Sequence, residues 1–92
     1  MKRAVHVSIF GQVQGVFYRG SSCKKAVTLS LTGFVRNCPD GSVELWAEGD
    51  DTRLQELIQW CRQGPPGAQV SDIKIEWAES TGRYPNFSVK HS

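Results

Sequence analysis

Two helix-length segments, each set between runs in which apolar and polar residues alternate, constrain this 92-residue chain most. Over Ala4–Phe10, Val5, Val7 and Ile9 alternate with His6 and Ser8, the period of a half-buried strand. Gly11 ends that run, and Gln12–Arg19 follow without helical period, as a loop. Ser21 or Ser22 can cap a first helix running to about Leu31, with Cys23, Ala26, Val27 and Ser30 or Leu31 facing inward. Gly33 stands where a helix stop belongs. A second strand, Phe34–Cys38, meets Pro39-Asp40-Gly41, whose turn chemistry predicts a hairpin into a third strand, Ser42–Glu48. Asp50 or Asp51 caps a second helix, in which Leu54, Leu57, Ile58 and Cys61 recur at helical spacing. Gly64-Pro65-Pro66-Gly67 stops it. Ile73, Ile75 and Trp77 then alternate with Asp72, Lys74 and Glu76 in a fourth strand, and Phe87–Val89 form a short last one.

The order is β-α-β-β-α-β with a short extra strand at the end. It predicts an α+β sandwich with two helices on one face of an antiparallel sheet, joined by right-handed crossovers. A chain of this length supports one domain, 1–92. The composition, 39% hydrophobic and 22% charged, is that of a globular protein rather than a disordered one. No apolar run is long enough to span a membrane, and the basic Met1-Lys2-Arg3 leads into no signal-peptide core. With 11 Lys plus Arg against 9 Asp plus Glu, the net charge of +2 gives no footprint for nucleic acid. Cys23, Cys38 and Cys61 are odd in number and form no CxxC, which fits reduced thiols in the cytosol, mostly packing groups. His6 and His91 lie near opposite ends and nothing clusters at metal-ligand spacing, so neither a metal nor a cofactor is expected.

Chemistry concentrates in two stretches. Gly11-Gln12-Val13-Gln14-Gly15-Val16-Phe17-Tyr18-Arg19 joins a strand end to a helix start. Backbone N–H groups curled there by Gly15, with the positive end of a helix and the Arg19 fork, make an anion site; an ordinary βα turn with a surface arginine is the plainer alternative. The Walker pattern is absent. In Gly33–Glu44, Asn37 ends a strand beside the hairpin. Its amide can hold a water or simply close the turn. Arg36 points to the side opposite Asn37, toward solvent. Elsewhere the plainer readings serve: Ser21 or Ser22 caps, Cys23 packs, Trp46, Trp60 and Trp77 are core or edge aromatics, and His6 faces outward or is satisfied.

These stretches resemble the acylphosphatases, which hydrolyse acyl phosphates. Gly11–Arg19 match the pattern G-x-V-Q-G-V-x-[FY]-R, and Gly33–Glu44 match G-[FYW]-[VA]-x-N-x-x-D-G-[ST]-V-[EY]. Gly64-Pro65-Pro66-Gly67-Ala68 and Asn86-Phe87-Ser88-Val89 are also similar, so the resemblance covers essentially the whole chain. It implies a ferredoxin-like fold. It implies a phosphate-binding loop of Gln14, Gly15, Val16, Phe17, Tyr18 and Arg19, in which Arg19 binds phosphate oxygens, while Asn37 orients the attacking water. Phe17 stands where many relatives have a small residue, and Gly20 where bulkier polar ones are common; these two departures are candidates for tuning substrate access.

The expected function is hydrolysis of the carboxyl–phosphate bond by a cytoplasmic monomer acting on a small acyl phosphate, with inorganic phosphate as product. Two other classes compete. An RNA-recognition module shares this element order, with Phe10 and Trp46 as candidate base platforms, but the chain lacks the RNP1 pattern. A non-catalytic anion-binding regulator keeps the loop without the turnover.

Overall fold

The computed structural model describes residues 1–91. Seven elements follow in the order β1 (Lys2–Gln12), α1 (Tyr18–Thr28), β2 (Thr32–Asn37), β3 (Val43–Asp50), α2 (Asp51–Gln63), β4 (Gln69–Ala78) and β5 (Phe87–Lys90). The sheet order is β4-β1-β3-β2-β5. The first four strands pair antiparallel, as the hairpin and the alternating runs imply. β5 adds a parallel edge along β2 and makes the sheet mixed.

Register explains the core. Ile75, Val7, Leu45, Val35 and Val89 pair in one row across all five strands, and Ile73, Ile9 and Val43 form a second. This face carries the helices. Leu54, Leu57 and Cys61 of α2 are fully buried against it, with Ile58 nearly so, as their spacing predicts. Asp50 caps α2, its side chain accepting from the Thr52 N–H at 3.3 Å.

The first helix departs from expectation at both ends. It begins at Tyr18, preceded by Phe17 in the left-handed conformation, and no side chain caps it. Ser21 and Ser22 therefore lie inside the helix, and the Ser22 hydroxyl donates to the Arg19 carbonyl at 3.0 Å. The buried face is Tyr18, Ser22 and Ala26, while Val27 points to solvent. The helix closes at Thr28, and Ser30 at φ 59° turns the chain so that Leu29 and Leu31 still enter the core. Gly33 belongs to β2 rather than to a helix stop. At φ 139°, a Cβ there would meet the Trp46 carbonyl oxygen of β3 at 1.8 Å, so only glycine permits this strand approach.

On the open face, Glu44 of β3 is held by Arg36 of β2 and by His6 of β1 at 2.7 Å. Arg36 is thus paired rather than simply solvated. Glu48 anchors the connection after β4: its carboxylate accepts from Ser80, Thr81 and Gly82 and from the Trp46 indole N–H at 2.7 Å.

Candidate active site

The β1–α1 loop and the end of β2 meet on the helix-bearing side. Asn37 has the same alternation as Gly33 and Val35, so it emerges on the face where α1 begins. Val89 shares that alternation on the neighbouring β5, and His91 follows just past the end of that strand. Together Val13, Gly15, Phe17, Tyr18, Arg19, Gly20, Asn37, Val89 and His91 line a cavity of about 470 Å³. Arg19 and Asn37, 18 positions apart in sequence, are therefore brought to one site.

The loop path explains what it offers. Gly15 at φ 77° and Phe17 at φ 62° curl the chain from β1 into α1. The N–H groups of Gln14 to Phe17 find no backbone acceptor among the described residues, and the first helical bond runs from the Ser21 N–H to the Phe17 carbonyl at 2.9 Å. Hence the N–H groups of Tyr18, Arg19 and Gly20 are the orphan donors of a helix start. No acidic residue sits in the first turn of α1 to compete for them. A cluster of unpaired N–H groups at a helix N-terminus attracts an anion of two or more oxygens.

The side chains of the loop divide in function. Tyr18 turns into the core, where its hydroxyl donates to the Cys61 carbonyl at 2.7 Å and its ring packs edge-on to Trp60 at 5.4 Å. Burial pushes its phenol far above the ordinary value, so Tyr18 is an anchor and offers the site only backbone. Val13 is also buried. The Gln14 side chain faces away from the cavity and donates to the Cys38 and Ser42 carbonyls at 2.8 and 2.9 Å. This staples the loop to the β2–β3 turn beside Asn37. That turn is closed by Asp40, whose carboxylate accepts from the Ser42 N–H at 2.9 Å and hydroxyl at 2.6 Å, and these bonds hold its carboxyl below the ordinary value.

Arg19 is half-buried and its guanidinium donates to the Lys90 carbonyl at 3.4 Å and to the His91 Nδ1 at 3.3 Å. Both contacts are long, leaving the fork loosely tethered at the cavity wall. His91 is the residue that sequence reasoning missed. Nothing local marks it; only the parallel pairing of β5 with β2 carries it to Arg19. Among the described residues the Asn37 amide has no side-chain partner, and no group of three His, Cys, Asp or Glu is placed to hold a metal ion. The cysteines are free thiols. Burial pushes the Cys61 thiol up to about 12 and also raises the half-buried Cys23, so both are packing groups. On the open face, where an RNA module would present bare aromatics, the Trp46 indole donates to Glu48 at 2.7 Å and the residue sits between His6 and Phe34 on the neighbouring strands.

Known proteins are similar to this chain over nearly its whole length. The family model described as acylphosphatase matches residues 5–89. The chain is 52% identical over 89 residues to an acylphosphatase of Methylococcus capsulatus, covering 97% of this chain and 96% of that one. Among solved structures, it is similar to an acylphosphatase from Coxiella burnetii (TM-score 0.89, 42% identity, covering 97% of this chain and 93% of that one). It is also similar to an acylphosphatase from Bacillus subtilis (TM-score 0.92, 32% identity, covering 98% and 99%).

Proposed function

Since this chain belongs to the acylphosphatase family of hydrolases, we propose that it hydrolyses the carboxyl–phosphate bond of small acyl phosphates through Arg19, Asn37 and the loop Gln14–Arg19. The observation that carries this reading is the cavity itself: N–H donors and an asparagine amide without partners among the described residues, and a loosely held arginine, line one space.

The chemistry asks little of acid–base groups. An acyl phosphate is a mixed anhydride whose carboxylate leaves without prior protonation. The barrier lies in gathering charge and in alignment. The loop N–H groups and the Arg19 fork hold the phosphoryl oxygens where charge spreads in the transition state. The Asn37 amide accepts from one water and directs its lone pair at phosphorus, in line with the bond to the carboxylate. The water oxygen forms the new P–O bond, the acyl P–O bond breaks, and the carboxylate departs with its electron pair. The water's proton passes to a phosphoryl oxygen, giving inorganic phosphate. Each tenfold in rate needs about 1.4 kcal/mol, and preorganised donors of this kind supply about 10²–10³-fold apiece.

The same reading has a single domain over 1–92 working without metal or cofactor, as a cytoplasmic monomer that does not engage nucleic acid. Three unpaired thiols suit a reducing compartment. No helix among the described residues is long and apolar enough to cross a membrane.

The test is consumption of benzoyl phosphate in excess EDTA by wild type, Arg19→Ala and Asn37→Ala. Turnover that survives EDTA and falls at least about 10²-fold in each folded variant is expected. A folded wild type that binds phosphate but turns over no acyl phosphate would leave an anion-binding regulator instead.

A further inference from the structure

Phe17 is 86% exposed, the most exposed aromatic among the described residues. It also holds φ 62° and ψ 27°, a left-handed conformation that a bulky side chain adopts rarely. Both features are unfavourable in the free protein, and they coincide at one residue on the rim of the cavity. Packing does not explain the side chain, because it buries almost nothing. Strain and exposure together at a site point to a ligand contact.

The neighbours give that contact a shape. Gly15 and Gly20 flank Phe17 on the same cavity, and neither has any atom within 4 Å of where a Cβ would stand. No side chain at either glycine competes for the space beside this exposed ring. Val13 and Val89 add apolar wall, while Arg19 and Asn37 form the polar pole. The substrate divides the same way. Its phosphoryl end belongs at Arg19 and the loop N–H groups. Its acyl end leaves opposite the attacking water, away from Asn37.

We propose that Phe17 is the acyl-side platform of this site, selecting acyl phosphates with an aromatic or bulky apolar acyl group over small aliphatic ones. The proposal rests on the acyl phosphate reading above. A benzoyl ring stacks on or against the edge of Phe17 and removes apolar surface of both from water. An acetyl methyl is too small to cover the ring.

The test compares kcat/KM for benzoyl phosphate and acetyl phosphate in wild type, Phe17→Ala and Phe17→Leu. The readout is the benzoyl-to-acetyl ratio, in which any loss shared by both substrates through the loop backbone divides out. The ratio is expected to fall about 10-fold in Phe17→Ala, which is about 1.4 kcal/mol, and by a smaller factor in Phe17→Leu, which keeps apolar bulk. A ratio in Phe17→Ala within about twofold of wild type overturns the platform, while turnover of both substrates leaves the hydrolase reading standing. No turnover of either substrate by folded wild type overturns both.

Discussion

Gln14 and Ser42 are joined across the base of the site: the Gln14 amide donates to the Ser42 carbonyl at 2.9 Å, and to that of Cys38 at 2.8 Å. One side chain thus ties the loop that leads to Arg19 to the turn that follows Asn37. The expectation for Gln14→Leu is a folded protein with kcat/KM reduced about 10–100-fold, because misplacement near 1 Å costs up to about 100-fold. Circular dichroism and benzoyl phosphate turnover, taken together, check it. Turnover equal to wild type would show that the staple does not set the alignment.

Tyr18 offers a stability prediction separate from chemistry. Its hydroxyl satisfies the Cys61 carbonyl, one of the last carbonyls of α2, which have no partner within the helix. Tyr18→Phe leaves that carbonyl buried and unpaired at a cost of about 1–3 kcal/mol. Urea unfolding reads the change as a lower midpoint at constant slope.

Gly33 and Gly41 make a contrasting pair. Alanine at Gly33 drives a Cβ into the Trp46 carbonyl, whereas at Gly41, also at positive φ, nothing lies within 4 Å. Gly33→Ala should therefore cost more than about 3 kcal/mol, against about 1–2 kcal/mol of backbone strain alone for Gly41→Ala. Equal melting temperatures for the two variants would refute the steric argument.

Glu48 governs acid stability. Its near-complete burial would raise the carboxyl, but hydrogen bonds from Thr81, Trp46, Gly82 and Ser80 outweigh this and hold it down to about 2. A carboxyl depressed on folding stabilises above its unfolded value, and the contribution is lost as pH falls toward the folded value. Stability from this group, at most about 3 kcal/mol, is thus full above about pH 4.5 and gone near pH 2. Glu48→Gln should lower stability at neutral pH and flatten the decline between pH 4.5 and 2, measured by urea unfolding across that range.

Much of this molecule is readable where one local force dominates. Leu54, Leu57, Ile58 and Cys61 define α2 because burial alone selects their spacing. Asp40-Gly41 declares its turn through the Asp40 carboxylate, which accepts from the backbone N–H of Ser42 two residues on. The start of α1 is less legible because nothing caps it; its N–H groups are left open, and the usual polar signal is absent. Val27 misleads for a related reason: α1 buries only Tyr18, Ser22 and Ala26, a face too polar and small for periodicity to register. Gly33 reads as a stop because the demand on it comes from Trp46, thirteen residues away. Arg19 and Asn37 are legible through long motifs, whereas His91 is placed by strand pairing that leaves no trace in its neighbours.

The parallel strand β5 is four residues long and lies at the sheet edge, yet it supplies Val89 and leads to His91 in the cavity. Short edge elements fray at temperatures where the central strands still hold. One wall of the site can therefore come loose while most of the secondary structure persists. Heat inactivation would then run ahead of melting, with the working range of the site set by how firmly this edge strand is held by its hydrogen bonds and by buried Phe87.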